Sequence, residues 1–233
     1  MTAFNGSAGT APDPALEAIR SGGLVPLYTS VDPDDLFRAA LAIVEAGLPV
    51  MEVTLRASGV LEALGPFIAR VDEAGLPLMV GAGTVLDGAA TAAAIAAGAR
   101  FIFSPTLVPE VGGQCRAAQV AWIPGCATPS EVHAAVRLGC SAVKLFPADT
   151  IGGPPFLRAV RSVLPTVEAI PSGGVSPDPN AIEAWFRAGA MAVAMGSWLF
   201  PRQQSDGEEW SEVQRRLETA VSAVSVARER LRS

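Results

Sequence analysis

Residues 45–53 read EAGLPVMEV, which holds a helix end, a glycine and the start of an apolar run. Glu45 and Ala46 close an alanine-rich amphipathic stretch, Gly47 suits the left-handed residue that ends a helix, and Val50 to Leu55 reads as a strand. The same device returns as EAGLPLMVG at 73–81, AAGARFIFS at 96–104, RLGCSAVKL at 137–145 and RAGAMAVAM at 187–195. A chain that repeats helix, glycine and strand is built from crossover units, and its strands run parallel.

Working outward, eight strands are expected: Leu24 to Tyr28, Val50 to Leu55, Leu78 to Gly81, Phe101 to Ser104, Ala121 to Pro124, Ala142 to Phe146, Glu168 to Pro171 and Ala192 to Met195. Helical patterns lie between them at Asp34 to Ala46, Val60 to Ala74, Ala89 to Ala97, Glu131 to Leu138, Phe156 to Leu164 and Ala181 to Ala188. A last helix, Glu208 to Leu231, sets Trp210, Val213, Leu217, Val221 and Val224 on one face. Pro14 to Arg20 reads as a short N-terminal helix, and residues 1–12, small and polar, as a disordered tail. The fold class expected is therefore α/β, a (β/α)8 TIM barrel over residues 13–233 with a short N-terminal helix. An open doubly wound sheet is the alternative.

Composition narrows the function. A net charge of -6 and a pI near 4.9 give no reason to expect nucleic acid or an anionic membrane as partner. The first residues, MTAFNGSAGTAPDP, lack the basic region and apolar core of a signal peptide, and no run reaches the length of a membrane span, so a soluble intracellular protein is expected. Three cysteines, Cys115, Cys126 and Cys140, read as reduced thiols without metal-ligand spacing. With His133 the only histidine, neither a histidine metal site nor a Ser-His triad is expected.

Of 17 basic side chains, Lys144 is the only lysine. Lysine can shed its proton and act as an amine nucleophile, which guanidinium cannot. It is also the only charged residue in a β-type apolar run, Ala142 to Phe146, ended by Pro147. The plainer alternative is a strand-end lysine paired with a carboxylate. In MEVTLR, alternation places Glu52, Thr54 and Arg56 on one face. A carboxylate within a strand is costly unless paired or used. Glu52 is then an acid/base and Arg56 an anion clamp, or the two form a stabilising ion pair.

Strand three ends in GAGTV, where Gly81 and Gly83 are expected to let a ligand approach the backbone and Thr84 offers a hydroxyl. Strands seven and eight end in PSGGVS and MGSWLF. Barrels of this class make phosphate sites there from backbone N–H groups and a short helix, so Gly173, Gly174, Gly196 and Ser197 are the candidates, against two ordinary tight turns. An amine, a carboxylate, an arginine and a distant phosphate cradle fit Schiff-base chemistry on a phosphorylated keto acid, with no cofactor and no metal.

MEVTLR, GAGTVL, SPTL, IPGCATPSE, VKLFPAD, PSGGVSP and MGSWLF, in this order, resemble the class I 2-keto-3-deoxy-6-phosphogluconate (KDPG) aldolase family, which includes the 4-hydroxy-2-oxoglutarate aldolases. The resemblance runs from about Leu24 to Phe200. It implies cleavage of KDPG to pyruvate and glyceraldehyde 3-phosphate by a cytoplasmic homotrimer. It also implies that Lys144 is the Schiff-base lysine and Glu52 the general acid/base, acting partly through water. Arg56 and Thr84 would hold the pyruvate carboxylate, Pro105 and Phe146 would wall the pocket, and Ser172, Gly173, Gly174 and Ser197 would receive the phosphate end. Ser172 stands where familiar members carry threonine and a branch acting on the galactonate isomer carries valine, and serine keeps the hydroxyl. LVPLYTS lacks an arginine that some relatives place in strand one, and IGGPPFLRAVRSVLP is similar to a less studied branch. A barrel isomerase or epimerase would share the glycine turns without needing the lysine. A sugar-phosphate sensor would need neither Lys144 nor Glu52.

Overall fold

A computed structural model describes residues 13–201 and 207–232. The tail expected over 1–12 lies outside the described residues. Asp13 accepts the backbone N–H groups of Ala15 and Leu16, and so opens helix α1 (Pro14–Gly22). The chain continues through β1 (Leu24–Tyr28), α2 (Pro33–Glu45), β2 (Val50–Thr54), α3 (Val60–Glu73), β3 (Met79–Gly83) and α4 (Gly88–Ala96). Then come β4 (Phe101–Phe103), α5 (Pro109–Ala117), β5 (Ala121–Ile123), β6 (Gly125–Cys126), α6 (Pro129–Arg137) and β7 (Ala142–Leu145). The last elements are α7 (Gly153–Val163), β8 (Glu168–Pro171), α8 (Pro179–Arg187), β9 (Val193–Met195) and α9 (Gly207–Glu229).

Gly47, Gly75, Gly98, Gly139 and Gly189 all have φ between 62° and 100°, as the repeated helix ends require. Helix α5 was absent from the expected set, because the Gly112-Gly113 pair hides its periodicity. Gly112 has a packing reason: a Cβ there would stand 2.2 Å from the Trp122 ring. The strand expected over Ala121 to Pro124 instead ends at Ile123, and Gly125 and Cys126 resume pairing beyond Pro124.

All strand pairs are parallel, in a six-stranded sheet ordered β5-β4-β3-β2-β1-β9 and a three-stranded sheet ordered β6-β7-β8. In the larger sheet β9 lies beside β1, at the edge opposite β5. The Pro124 carbonyl accepts the Lys144 N–H at 2.8 Å, and isolated bridges pair Ala169 with Ala190 and Ser172 with Ala194.

The curled sheet separates two apolar layers. On its outer side Met51, Val53, Leu64, Phe67 and Val143 pack with the helices. On its inner side Val25, Val50, Phe101, Phe103, Ile123, Ala142 and Ile170 form a second cluster, joined by Ala15, Leu16 and Ile19 of α1. Strand alternation sends Glu52 to the same side as Val50, and Lys144 to the same side as Ala142. Both charges thus enter the inner layer, beyond its apolar floor.

Candidate active site

Glu52 is fully buried on β2 and Lys144 is 5% exposed on β7. Their side chains meet inside the curl, where Lys144 Nζ donates to Glu52 Oε2 at 3.4 Å. That is long for a charge-assisted bond, which ordinarily closes to about 2.7–2.9 Å. Around the amine the walls are aromatic: Nζ stands 4.9 Å from the centroid of Phe103 and 5.8 Å from that of Phe146. Burial pushes the Glu52 carboxyl above the usual carboxylate range, against the opposing charge of Lys144 and then that of Arg56. Its second oxygen, Oε1, has no hydrogen-bond partner.

The ion pair weighed between Glu52 and Arg56 does not form. Arg56 is exposed in the turn after β2, and Lys144 takes the carboxylate instead. The two glycines of strand three also differ from expectation. A Cβ on Gly81 would strike the Phe101 ring at 2.2 Å, and one on Gly83 would fall 1.6 Å from Glu52 Oε1. They make room for protein side chains rather than for a ligand. Thr84 follows, half-buried, with φ 61°. A β-branched residue in the left-handed region is strained, and such strain concentrates at functional sites.

The remaining expected residues line the same end of the strands. Pro105 follows β4, and its carbonyl crowds Gly125 so closely that a Cβ there would stand 2.1 Å away. Phe146 is 36% exposed, and its ring lies against Gly173. Ser172 is buried. Its N–H donates to Leu145 O and its carbonyl accepts Ala148 N–H, both at 2.9 Å, so the turns after β7 and β8 are tied together. Gly173 and Gly174 follow at φ 86° and 76°. The Ser172–Ala194 bridge sets this turn beside Gly196 and Ser197. Residues 197–200 form a turn rather than a helix, closed by Phe200 N–H to Gly196 O at 2.9 Å.

Two charges reach these turns that the sequence reading did not place there. The Asp149 carboxylate packs on Gly174, where a Cβ would stand 2.0 Å from it. Arg216, on α9, donates to the Trp198 carbonyl at 2.7 Å from behind the second turn. Asp149 belongs to the quoted lysine motif. Arg216 lies three residues after Val213 of the apolar face, a spacing that turns it toward the sheet.

Burial raises the thiols of Cys115, Cys126 and Cys140 to about 11, 12 and 12, well away from reactive thiolates. A hollow of about 720 Å³ at the opposite end of the strands, between α1 and the Trp122 region, holds none of the expected residues. Among the described residues no cluster of three or more His, Cys, Asp or Glu could hold a metal ion, and no helix is long and apolar enough to cross a membrane.

A buried amine beside a buried carboxylate, between the rings of Phe103 and Phe146, can form an imine with a ketone and move a proton next to it. Comparisons with known proteins agree with this chemistry. A family model described as KDPG and KHG aldolase matches residues 16–216. The 2-dehydro-3-deoxy-phosphogluconate aldolase of Pseudomonas aeruginosa is 34% identical over 196 residues, 84% of this chain and 86% of that one. The 2-dehydro-3-deoxy-6-phosphogalactonate aldolase of Escherichia coli is 30% identical over 207 residues, 88% of this chain and 95% of that one. A crystal structure of KDPG aldolase from Legionella pneumophila, with pyruvate captured at low pH as a covalent carbinolamine intermediate, superposes with a TM-score of 0.79. It is 29% identical and covers 88% of this chain and 97% of that one.

Proposed function

The chain belongs to the KDPG and KHG aldolase family, and from that premise we propose that it cleaves KDPG to pyruvate and glyceraldehyde 3-phosphate through a Schiff base on Lys144. The observation that carries the reading is the 3.4 Å contact between the only lysine and a fully buried Glu52. The neutral amine adds to the C2 ketone, and the carbinolamine loses water to give an iminium. Glu52, partly through water, takes the proton of the C4 hydroxyl. The C3–C4 bond then breaks, its electron pair passes into the iminium to form an enamine, and the aldehyde departs. Protonation at C3 and hydrolysis release pyruvate and restore the amine.

Arg56 and Thr84 hold the substrate carboxylate, while Pro105 and Phe146 wall the ketone. Ser172, Gly173, Gly174, Gly196 and Ser197 receive the phosphate end through backbone N–H groups and hydroxyls, a manner of binding that suits an acidic chain. We read the two sheets as one (β/α)8 barrel. Pro124 between β5 and β6, and the bridges at Ala190 and Ala194 between β8 and the β9 region, support this reading. The family likeness supports a cytoplasmic homotrimer.

The phosphogalactonate relative favours a second reading, with the C4 epimer as substrate. Pyruvate release from the gluconate and galactonate phosphates, their unphosphorylated forms and 4-hydroxy-2-oxoglutarate separates the candidates. The expected order puts the gluconate phosphate first. Faster release from the galactonate phosphate selects the epimer, and no release from any of them overturns the aldolase reading in favour of an isomerase, epimerase or sensor.

A further inference from the structure

Thr54 lies two residues beyond Glu52 on the same face of β2 and is 3% exposed, yet its Oγ1 has no hydrogen-bond partner. Buried side-chain oxygens are ordinarily satisfied. The other orphan at this spot is Glu52 Oε1. Gly83 shows that the two are neighbours, because Oε1 occupies the place of a Gly83 Cβ and Gly83 is the register partner of Thr54 on β3. The Glu52 carboxylate therefore rises one rung, to the level of Thr54, across a strand spacing of about 4.8 Å. One orphan is a pure acceptor when ionised, and the other carries a proton to donate.

We propose that Thr54 is a positioning residue whose hydroxyl holds Glu52 Oε1, directly or through one water, and so leaves Oε2 as the oxygen that exchanges protons beside Lys144. This rests on the aldolase reading above. The charged groups acting on Glu52 are Lys144 from β7 and Arg56 after β2, whereas β1 and β3 present only Leu27, Gly81 and Gly83 in register with it or with Thr54. A hydroxyl donating to a carboxylate favours its charged form, and although Thr54 Oγ1 does not meet full hydrogen-bond geometry, its hydroxyl already acts on Glu52 in that sense, after Lys144 and Arg56, against the burial that raises it.

The test is proton–deuterium exchange at the methyl group of pyruvate, followed by NMR from about pH 5 to 9, in wild type, Thr54→Val and Thr54→Ser. With valine the acid limb moves up by about one pH unit, so exchange on that side falls about tenfold while the alkaline plateau stays within about twofold. With serine the limb returns to its wild-type place. A uniform fall at every pH, a profile unchanged by valine, or failure of serine to restore the limb would overturn the proposal. Should the valine variant not fold, Thr54→Ala is read by the same profile. Borohydride trapping keeps the two readings apart: if wild type gives no reduced pyruvyl adduct on Lys144, the aldolase reading has failed, and with the adduct present only the role of Thr54 is at stake.

Discussion

The two ends of the sheet treat charge in opposite ways. At the N-terminal ends of the strands, Arg20 grips both oxygens of Glu168, at 2.8 and 2.7 Å, and also pairs with Glu17. Arg228 reaches over from α9 to the carbonyls of Ser21, at 2.8 Å, and of Arg20 and Met191, so helix α1 is fastened over the apolar plug of Leu16 and Ile19. At the C-terminal ends the buried pair is held at 3.4 Å, two oxygens beside it lack partners, and Thr84 sits in the left-handed region. Satisfied polar groups mark the end that holds the fold. The buried pair and its orphaned oxygens mark the end that is left to engage a ligand, whereas backbone strain does not separate the ends, since Gln119 ahead of β5 also has a positive φ, 57°.

The strongest way to break this contrast is Lys144→Arg, which keeps the charge and removes the amine. Turnover should fall about a thousandfold or more, and pyruvate with borohydride should no longer label position 144. Surviving turnover, or labelling confined to the N-terminal amine in wild type, would return Lys144 to a structural role.

Glu52→Gln comes next. Imine formation should persist while methyl exchange slows by roughly 100-fold. The same variant carries a pH signature. Burial raises the Glu52 carboxyl in the folded chain, so the fold binds that proton more tightly than the unfolded chain does. The stability linked to this group is thus greatest when it is protonated, and falls as pH rises through its folded value. Urea midpoints across pH should lose that slope in the glutamine variant, and an unchanged slope would place the carboxyl elsewhere in energy.

A smaller effect is expected from Ser197→Asp, which sets a carboxylate at the turn beside Gly173 and Gly174. The kcat/KM for the phosphorylated substrate should fall about tenfold, near 1.4 kcal/mol, with far less change for an unphosphorylated analogue. Equal losses for both would remove the phosphate from this turn.

Least is expected from Arg20→Ala at the opposite end, where a half-exposed ion pair contributes about 1 kcal/mol or less. Chemical denaturation should register the loss while turnover at room temperature stays unchanged. A fall in turnover beyond the loss of folded protein would mean that the two ends are coupled.

Much of this contrast could be read from the chain itself, because it rests on local rules. Alternation along β2 put Glu52 inward, the glycines at 47, 75, 98, 139 and 189 each marked a strand to follow, and a lone lysine in an apolar run announced its own chemistry. What escaped depends on contacts between residues far apart in sequence. Arg56 was the nearest cation along the chain to Glu52, but the partner is 92 residues away on β7. Arg216 arrives at the Trp198 carbonyl from α9, 18 residues on. Helix α5 was hidden by a glycine pair whose first member is needed by the Trp122 ring, a demand that only tertiary packing makes.

Gly81 and Gly83 carry a lesson for anyone remodelling this scaffold. The chamber is shaped there by missing atoms, since any side chain at 83 would take the volume of the Glu52 carboxylate and any at 81 that of the Phe101 ring. A variant library meant to widen substrate scope therefore has no useful diversity at these two codons, and its freedom lies instead in the exposed rim at Phe146 and Ser197.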